Sequence, residues 1–153
     1  MSITKFEYET SNRQVLEFIM YYEQDRLVLD TDYQRSVVWS VEKQIKYIEA
    51  ILQNVPTPPI FWHRSDNLVE IVDGKQRLTS IINFYNNKFP VFDKLYSEFE
   101  NKNDFTNCTI PSALIIKTNK KDVLELYIAL NTGGTAHTEE EIEKAKKLLK
   151  LYE

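Results

Sequence analysis

Apolar side chains recur every three or four residues in four stretches of the chain, which is typical of amphipathic helices. These residues are Val15, Leu16, Ile19 and Met20; Ile45, Ile48, Ile51 and Leu52; Leu78, Ile81, Ile82 and Tyr85; and Val123, Leu124, Tyr127 and Ile128. We expect the first helix to be capped by Ser11 or Asn12 and to run to about Asp25. Ser40 is the expected cap of the second helix. A capping-box signature at residues 138–141 predicts a fifth helix through Leu149.

Shorter apolar runs with β-branched residues predict strands between these helices. One run covers residues 27–29 and another residues 113–116. Residues 59–62 and 68–72 are separated by the turn signal Ser65-Asp66-Asn67, which favours a hairpin. Residues 90–109 are polar, aromatic and irregular, so we expect a loop with a short helix there. The pattern therefore predicts one α+β domain spanning residues 1–153, with a small mixed sheet flanked by helices.

The junction between the second hairpin strand and the third helix carries the residues best suited to chemistry. Its sequence is Val-Asp-Gly-Lys-Gln-Arg-Leu-Thr, residues 72–79. Gly74 permits a sharp turn and leaves no Cβ to block a ligand, and Asp73 is placed either as the helix cap or as an exposed carboxylate. The first N–H groups of a helix favour an anion, and Arg77 adds a bidentate grip suited to phosphate. The alternative is an ordinary capped turn with a solvated Arg77.

A second polar block lies about forty residues earlier, at Tyr33-Gln34-Arg35-Ser36-Val37-Val38-Trp39-Ser40. An amide and a guanidinium beside an aromatic ring can hold a phosphate and stack a base. The alternative for Arg35 is a surface ion pair, with Tyr33 in the core. Trp39 precedes a helix cap, which favours packing as a hydrophobic staple over base stacking.

The order of these blocks resembles a known family over about residues 25–145. A Q-R-x-x-x-W block, a helix, a proline-rich turn into a strand and a D-G-Q-Q-R-L-T motif follow one another in the family named for D-G-Q-Q-R. That family forms the N-terminal part of GmrSD-type modification-dependent restriction enzymes and belongs to the ParB/sulfiredoxin-like superfamily. The chain departs from the motif at Lys75, where the family has glutamine, and we expect no helical region or HNH-type nuclease domain after Glu153.

The resemblance implies a fold of the ParB/sulfiredoxin type and a nucleoside triphosphate as ligand, with hydrolysis. It implies Asp73 and Arg77 as catalytic residues, with Asp73 also holding a possible Mg²⁺. The nucleotide-binding residues that it implies are Gln34, Arg35, Gly74, Lys75, Gln76, Thr79 and Asn131. It also connects the chain to DNA restriction, in phage defence or counter-defence. Two alternatives stay open: a ParB-like Mg²⁺-dependent DNA nuclease, and a non-catalytic module that regulates a separate nuclease chain.

Composition limits the function classes. No apolar run approaches a membrane span and no signal peptide opens the chain, and the single Cys108 fits a reducing compartment, so we expect a cytoplasmic protein. The net charge of −4 argues against a large nonspecific nucleic-acid surface, and DNA binding would need a local patch. His63 and His137 lack metal-ligand spacing, which disfavours a structural zinc. Exposed aromatic residues between 92 and 105 suggest an oligomer interface or packing under a long loop.

Overall fold

The computed structural model describes residue 3 and residues 5–30, 39–116, 119–132 and 139–152. The strands in this part are β1 Glu7–Gln14, β2 Leu27–Val28, β3 Ile60–Ser65, β4 Leu68–Asp73 and β5 Thr109–Ile116. The helices are α1 Val15–Glu23, α2 Val41–Leu52, α3 Lys75–Tyr85, α4 Asn103–Thr106, α5 Lys120–Thr132 and α6 Glu139–Lys150. A 3-10 turn covers Tyr96–Glu98.

The strands form one five-stranded sheet in the order β1-β5-β3-β4-β2. Neighbours are antiparallel in the pairs β1–β5 and β3–β4, and parallel in the pairs β3–β5 and β2–β4. The sheet is therefore mixed, which confirms the predicted α+β class and the predicted hairpin of β3 and β4.

Helices cover both faces of the sheet. On β4, Ile71 points into a large core formed with α1, α2 and α3, whereas the next residue, Val72, packs against α5 and α6 on the opposite face. Alternation of side chains along a strand produces this division. Trp62 of β3 is fully buried on the first face, where the ring of Phe18 from α1 meets it edge-on at 5.6 Å.

The first strand corrects one sequence-based prediction. Ser11 and Asn12 do not cap α1; they lie in β1, and α1 begins at Val15 after an extended Gln14. β1 is the outermost strand, and seven of its eight residues are exposed. A strand with so little buried surface carries no alternating apolar signal, which is why the pattern did not predict it.

Other predicted features are confirmed. Ser40 caps α2, because its hydroxyl accepts a 3.2 Å hydrogen bond from the backbone N–H of Lys43. Before β5 begins, the segment 90–109 contains the 3-10 turn, α4 and an isolated β-bridge between Val91 and Lys94. Its aromatic residues mostly pack inward: Phe105 is fully buried with its ring 4.9 Å from that of Phe84, whereas Phe92 is 54% exposed.

Within the part of the chain that is described, no helix has the length and apolar character to cross a membrane.

Candidate functional site

The sheet topology brings the polar motif to one edge of the domain. Because β4 runs parallel to β2 and antiparallel to β3, the carboxyl ends of β2 and β4 lie beside the start of β3. Asp73 ends β4, Gly74 follows, and α3 begins at Lys75. We call residues 73–77 the β4–α3 corner.

Gly74 gives the corner its shape. Its backbone has φ +119°, a region that L side chains rarely adopt, and a Cβ there would lie 2.5 Å from Cδ1 of Ile60. Gly74 is the N-cap residue of α3, and no side-chain cap hydrogen bond is seen at this helix start in the part of the chain that the structure describes. The expectation that Asp73 caps the helix is therefore wrong: Gly74 is the N-cap residue, and Asp73 is the last residue of β4.

The buried side chain of Arg77 holds the β4–α3 corner together through hydrogen bonds. Its side chain is only 10% exposed, and Nη1 donates hydrogen bonds to the backbone carbonyls of Pro58 at 2.5 Å and Pro59 at 2.9 Å. Nη2 lies 3.4 Å from Oδ2 of Asp73. The guanidinium thus ties the turn before β3 to the end of β4, and the alternative of a solvated arginine is wrong.

Lys75 is the first residue of α3. Its ammonium forms an ion pair with Asp30, just after β2. The lysine side chain is 10% exposed, whereas that of Asp30 is 84% exposed. The pair therefore places a positive charge at the first turn of α3, with its partner carboxylate largely in solvent.

Gln76 connects the corner to Trp39. The backbone N–H of Trp39 donates to Oε1 of Gln76 at 2.9 Å, and the carbonyl of Trp39 accepts from the amide of Gln44 at 2.9 Å. Asn83 of α3 donates to the same Gln44 side chain at 2.8 Å. Both the backbone N–H and the backbone carbonyl of Trp39 are therefore held by side-chain amides of α2 and α3.

The structure describes only some of the remaining predicted site residues. Gln34 and Arg35 lie outside the described residues, although Asp30 and Trp39, on either side of the segment 31–38, both contact the first turn of α3. Thr79 is half-buried in α3. Asn131 belongs to the last turn of α5, and its amide donates to the backbone carbonyl of Tyr127 at 2.6 Å. Among the described contacts, none joins Asn131 to the corner.

Tyr47 of α2 is a corner neighbour that sequence reasoning missed. It is 7% exposed, and its hydroxyl has no hydrogen-bond partner of ordinary geometry. Burial raises the pKa of this phenol to about 12, although the nearby Arg77 and Thr57 act in the opposite direction. In the sequence, Tyr47 fits the apolar pattern of α2 and cannot be told apart from a residue that only fills the core. Gln44 could have been recognised from the sequence as a buried polar residue, because it lies on the same face of α2 as Ile48 and Ile51.

The donor set at the corner limits what metal it can hold. Within the described ranges, no three His, Cys, Asp or Glu side chains lie together as a metal site. Asp73 and Asp30 each contact a cation, so the residues fit a hydrated Mg²⁺ that arrives with phosphate oxygens better than a site built from protein ligands alone. His63 forms a 2.8 Å contact with Glu70 across the hairpin, and His137 lies outside the described residues.

Comparison with known proteins decides the family. The profile described as "GmrSD restriction endonuclease, N-terminal domain" matches residues 15–148. The chain belongs to this GmrSD N-terminal domain family. No curated protein and no solved structure matches the chain. The assignment to the ParB/sulfiredoxin superfamily therefore stays a prediction.

Membership in the GmrSD N-terminal family connects the domain to DNA restriction. The match contains the whole β4–α3 corner and both flanks of the segment 31–38, and it excludes β1. Trp39, which the structure describes near the end of the first sequence block, is joined to the second block through Gln76.

Proposed function

We propose that this GmrSD N-terminal domain binds a nucleoside triphosphate at the β4–α3 corner and hydrolyses it with Mg²⁺, within a DNA restriction, phage-defence or counter-defence system. One observation carries the proposal: the start of α3 lies beside a buried lysine with no side-chain cap among the described residues, and its first turn contacts both flanks of the segment with Gln34 and Arg35. An uncapped helix N-terminus with an adjacent cation is suited to phosphate.

The phosphate groups are expected at the start of α3. Gly74 has no Cβ, so a phosphate oxygen can approach the backbone closely. Lys75 neutralises negative charge there and exchanges Asp30 for phosphate when the ligand binds. Gln34 and Arg35 are proposed to complete the binding site from the neighbouring segment, and Thr79 and Asn131 remain proposed contacts.

Asp73 and Arg77 are proposed to work as a pair. Because Nη1 of Arg77 already donates to two backbone carbonyls, the main task of Arg77 is to fix Asp73 through Nη2, and its remaining donors can face phosphate. Asp73 orients the attacking water. When Mg²⁺ is bound, Asp73 and the phosphate oxygens would hold it, and the ion would neutralise charge that develops during phosphoryl transfer.

The first test measures phosphate release and calorimetric binding for ATP, GTP, CTP and UTP with Mg²⁺. We expect one or more nucleotides to bind and turn over. Asp73→Asn should lower turnover about 100-fold while binding persists, since it removes a charged base and ligand. Lys75→Ala should weaken affinity about tenfold, whereas Lys88→Ala, beyond the far end of α3, serves as the matched control and should change neither.

The same samples separate the alternatives. Absence of binding by all four nucleotides would overturn the proposal. Cleavage of DNA with Mg²⁺ and no nucleotide, lost in Asp73→Asn, would favour the nuclease. Binding without turnover in the wild type would favour a regulatory module that controls a nuclease on another chain.

A further inference from the structure

The outer edge of β1 is the longest open strand edge in the described sheet. β1 and β2 are its two edge strands, and β2 has only two residues whereas β1 has eight. β1 contains no proline, lysine or bulge, three of the features that protect an edge from pairing, although Glu7, Glu9 and Arg13 are charged. It also precedes the residues that match the GmrSD family, so nothing in the proposed nucleotide site depends on it.

The register with β5 shows which backbone groups of β1 point outward. Val15 donates its N–H to the carbonyl of Cys108 at 2.8 Å, which continues the pairing of Gln14 with Thr109. In an antiparallel ladder, hydrogen-bonded pairs alternate with non-bonded pairs. Odd-numbered residues of β1 therefore direct their N–H and carbonyl groups to β5. The residues that direct theirs outward are Tyr8, Thr10, Asn12 and Gln14.

A second copy of the same strand fits this edge in one register. If two β1 strands pair antiparallel about a two-fold axis at Ser11, every outward group of the even residues meets a partner. The facing residues are then Tyr8 with Gln14, Glu9 with Arg13, Thr10 with Asn12, and Ser11 with Ser11. No like charges face each other, and each Glu9 lies opposite an Arg13 on both sides of the axis. Arg13 keeps its 3.0 Å contact with Glu17.

We propose that β1 is a self-association edge, through which two copies of this chain join their sheets into one continuous ten-stranded sheet. The interface consists mainly of backbone hydrogen bonds, with two Glu9–Arg13 pairs that select the register. The small apolar contribution predicts a reversible dimer whose population depends on protein concentration.

Proline substitution tests the edge directly. Sedimentation velocity over about a hundredfold range of concentration should show a monomer–dimer equilibrium for the wild type. Thr10→Pro removes an outward N–H that β5 does not use, so it should abolish the dimer and leave the circular dichroism spectrum and Tm intact. Ser11→Pro is the matched control: it removes an N–H that β5 needs and should lower Tm.

Charge exchange tests the register. Glu9→Arg and Arg13→Glu place like charges opposite each other, and each variant alone should associate about tenfold more weakly. An equimolar mixture should restore association, because only in the heterodimer does the arginine introduced at position 9 face the glutamate introduced at position 13. A wild type that is monomeric at every concentration would overturn the proposal. So would a dimer that Thr10→Pro leaves unchanged, or variants whose mixture associates no better than either alone.

Discussion

The backbone N–H of Trp39 donates a 2.9 Å hydrogen bond to Oε1 of Gln76, and this contact joins the two sequence blocks of the domain. The backbone carbonyl of Trp39 accepts a hydrogen bond from the side-chain amide of Gln44. The side-chain amide of Gln76 therefore positions the backbone of Trp39, and it does so without a bound ligand. It fixes where the segment 31–38 ends relative to the first turn of α3.

We expect Gln76→Leu to destabilise the fold by about 1–2 kcal/mol, because a half-buried backbone N–H loses its acceptor. Gln76→Glu keeps the acceptor and should lose less. Urea unfolding followed by tryptophan fluorescence measures the change. Gln53→Leu, at the exposed end of α2, is the matched control. Equal stabilities for Gln76→Leu and the wild type would show that the Trp39 contact contributes nothing.

Arg77→Lys should lower the free energy of unfolding by about 2 kcal/mol, even with no nucleotide present. A lysine keeps the charge but cannot hold the carbonyls of Pro58 and Pro59 together with Asp73. Chemical denaturation compares it with Arg64→Lys, whose side chain is exposed. If Arg77→Lys unfolds at the same urea concentration as the wild type, Arg77 is a ligand-binding residue without a bracing role.

Gly74→Ala should destabilise the domain by about 1–3 kcal/mol, for two separable reasons. The backbone at φ +119° is strained for alanine, and the new Cβ meets Cδ1 of Ile60 at 2.5 Å. Ile60→Val removes that methyl group, so the double variant should recover part of the loss. A double-mutant cycle measures this coupling, and strictly additive losses would show that steric contact with Ile60 is unimportant.

Tyr47→Phe should change stability most at alkaline pH. The pKa of Tyr47 is raised from 10.0 to about 12 by burial, so the folded protein keeps a proton that the unfolded chain loses. The stability that comes from this difference is present below pH 10.0 and is lost as the pH rises towards 12, by about 2–3 kcal/mol in total.

The phenylalanine variant lacks this titration. At neutral pH it should be as stable as the wild type or slightly more so, because the hydroxyl has no hydrogen-bond partner of ordinary geometry to lose. Urea midpoints on both sides of pH 10.0 give the comparison. Parallel pH profiles for the two proteins would contradict a buried titrating phenol.

The helices and the hairpin could be predicted because their apolar residues repeat with the period of the element that contains them. Ser40, the start of α2 and the turn between β3 and β4 are local features, and local sequence specifies them. β1 could not be predicted because its pairing partner lies about a hundred residues away and its side chains are exposed. Gly74 was expected to turn the chain, but the close approach of Ile60, which leaves no space for a Cβ at that position, depends on the tertiary fold.

The sequence by itself determined that the chain forms an α+β domain of the GmrSD N-terminal family with a polar corner before α3, since periodicity and motif spacing are properties of neighbouring residues. Tertiary structure alone decided which atoms that corner uses. Arg77 reaches the carbonyls of Pro58 and Pro59, Lys75 reaches Asp30, and Gln76 reaches Trp39. These partners lie 18 to 45 residues away, and only the parallel and antiparallel pairing of β2, β3 and β4 brings them within hydrogen-bond distance.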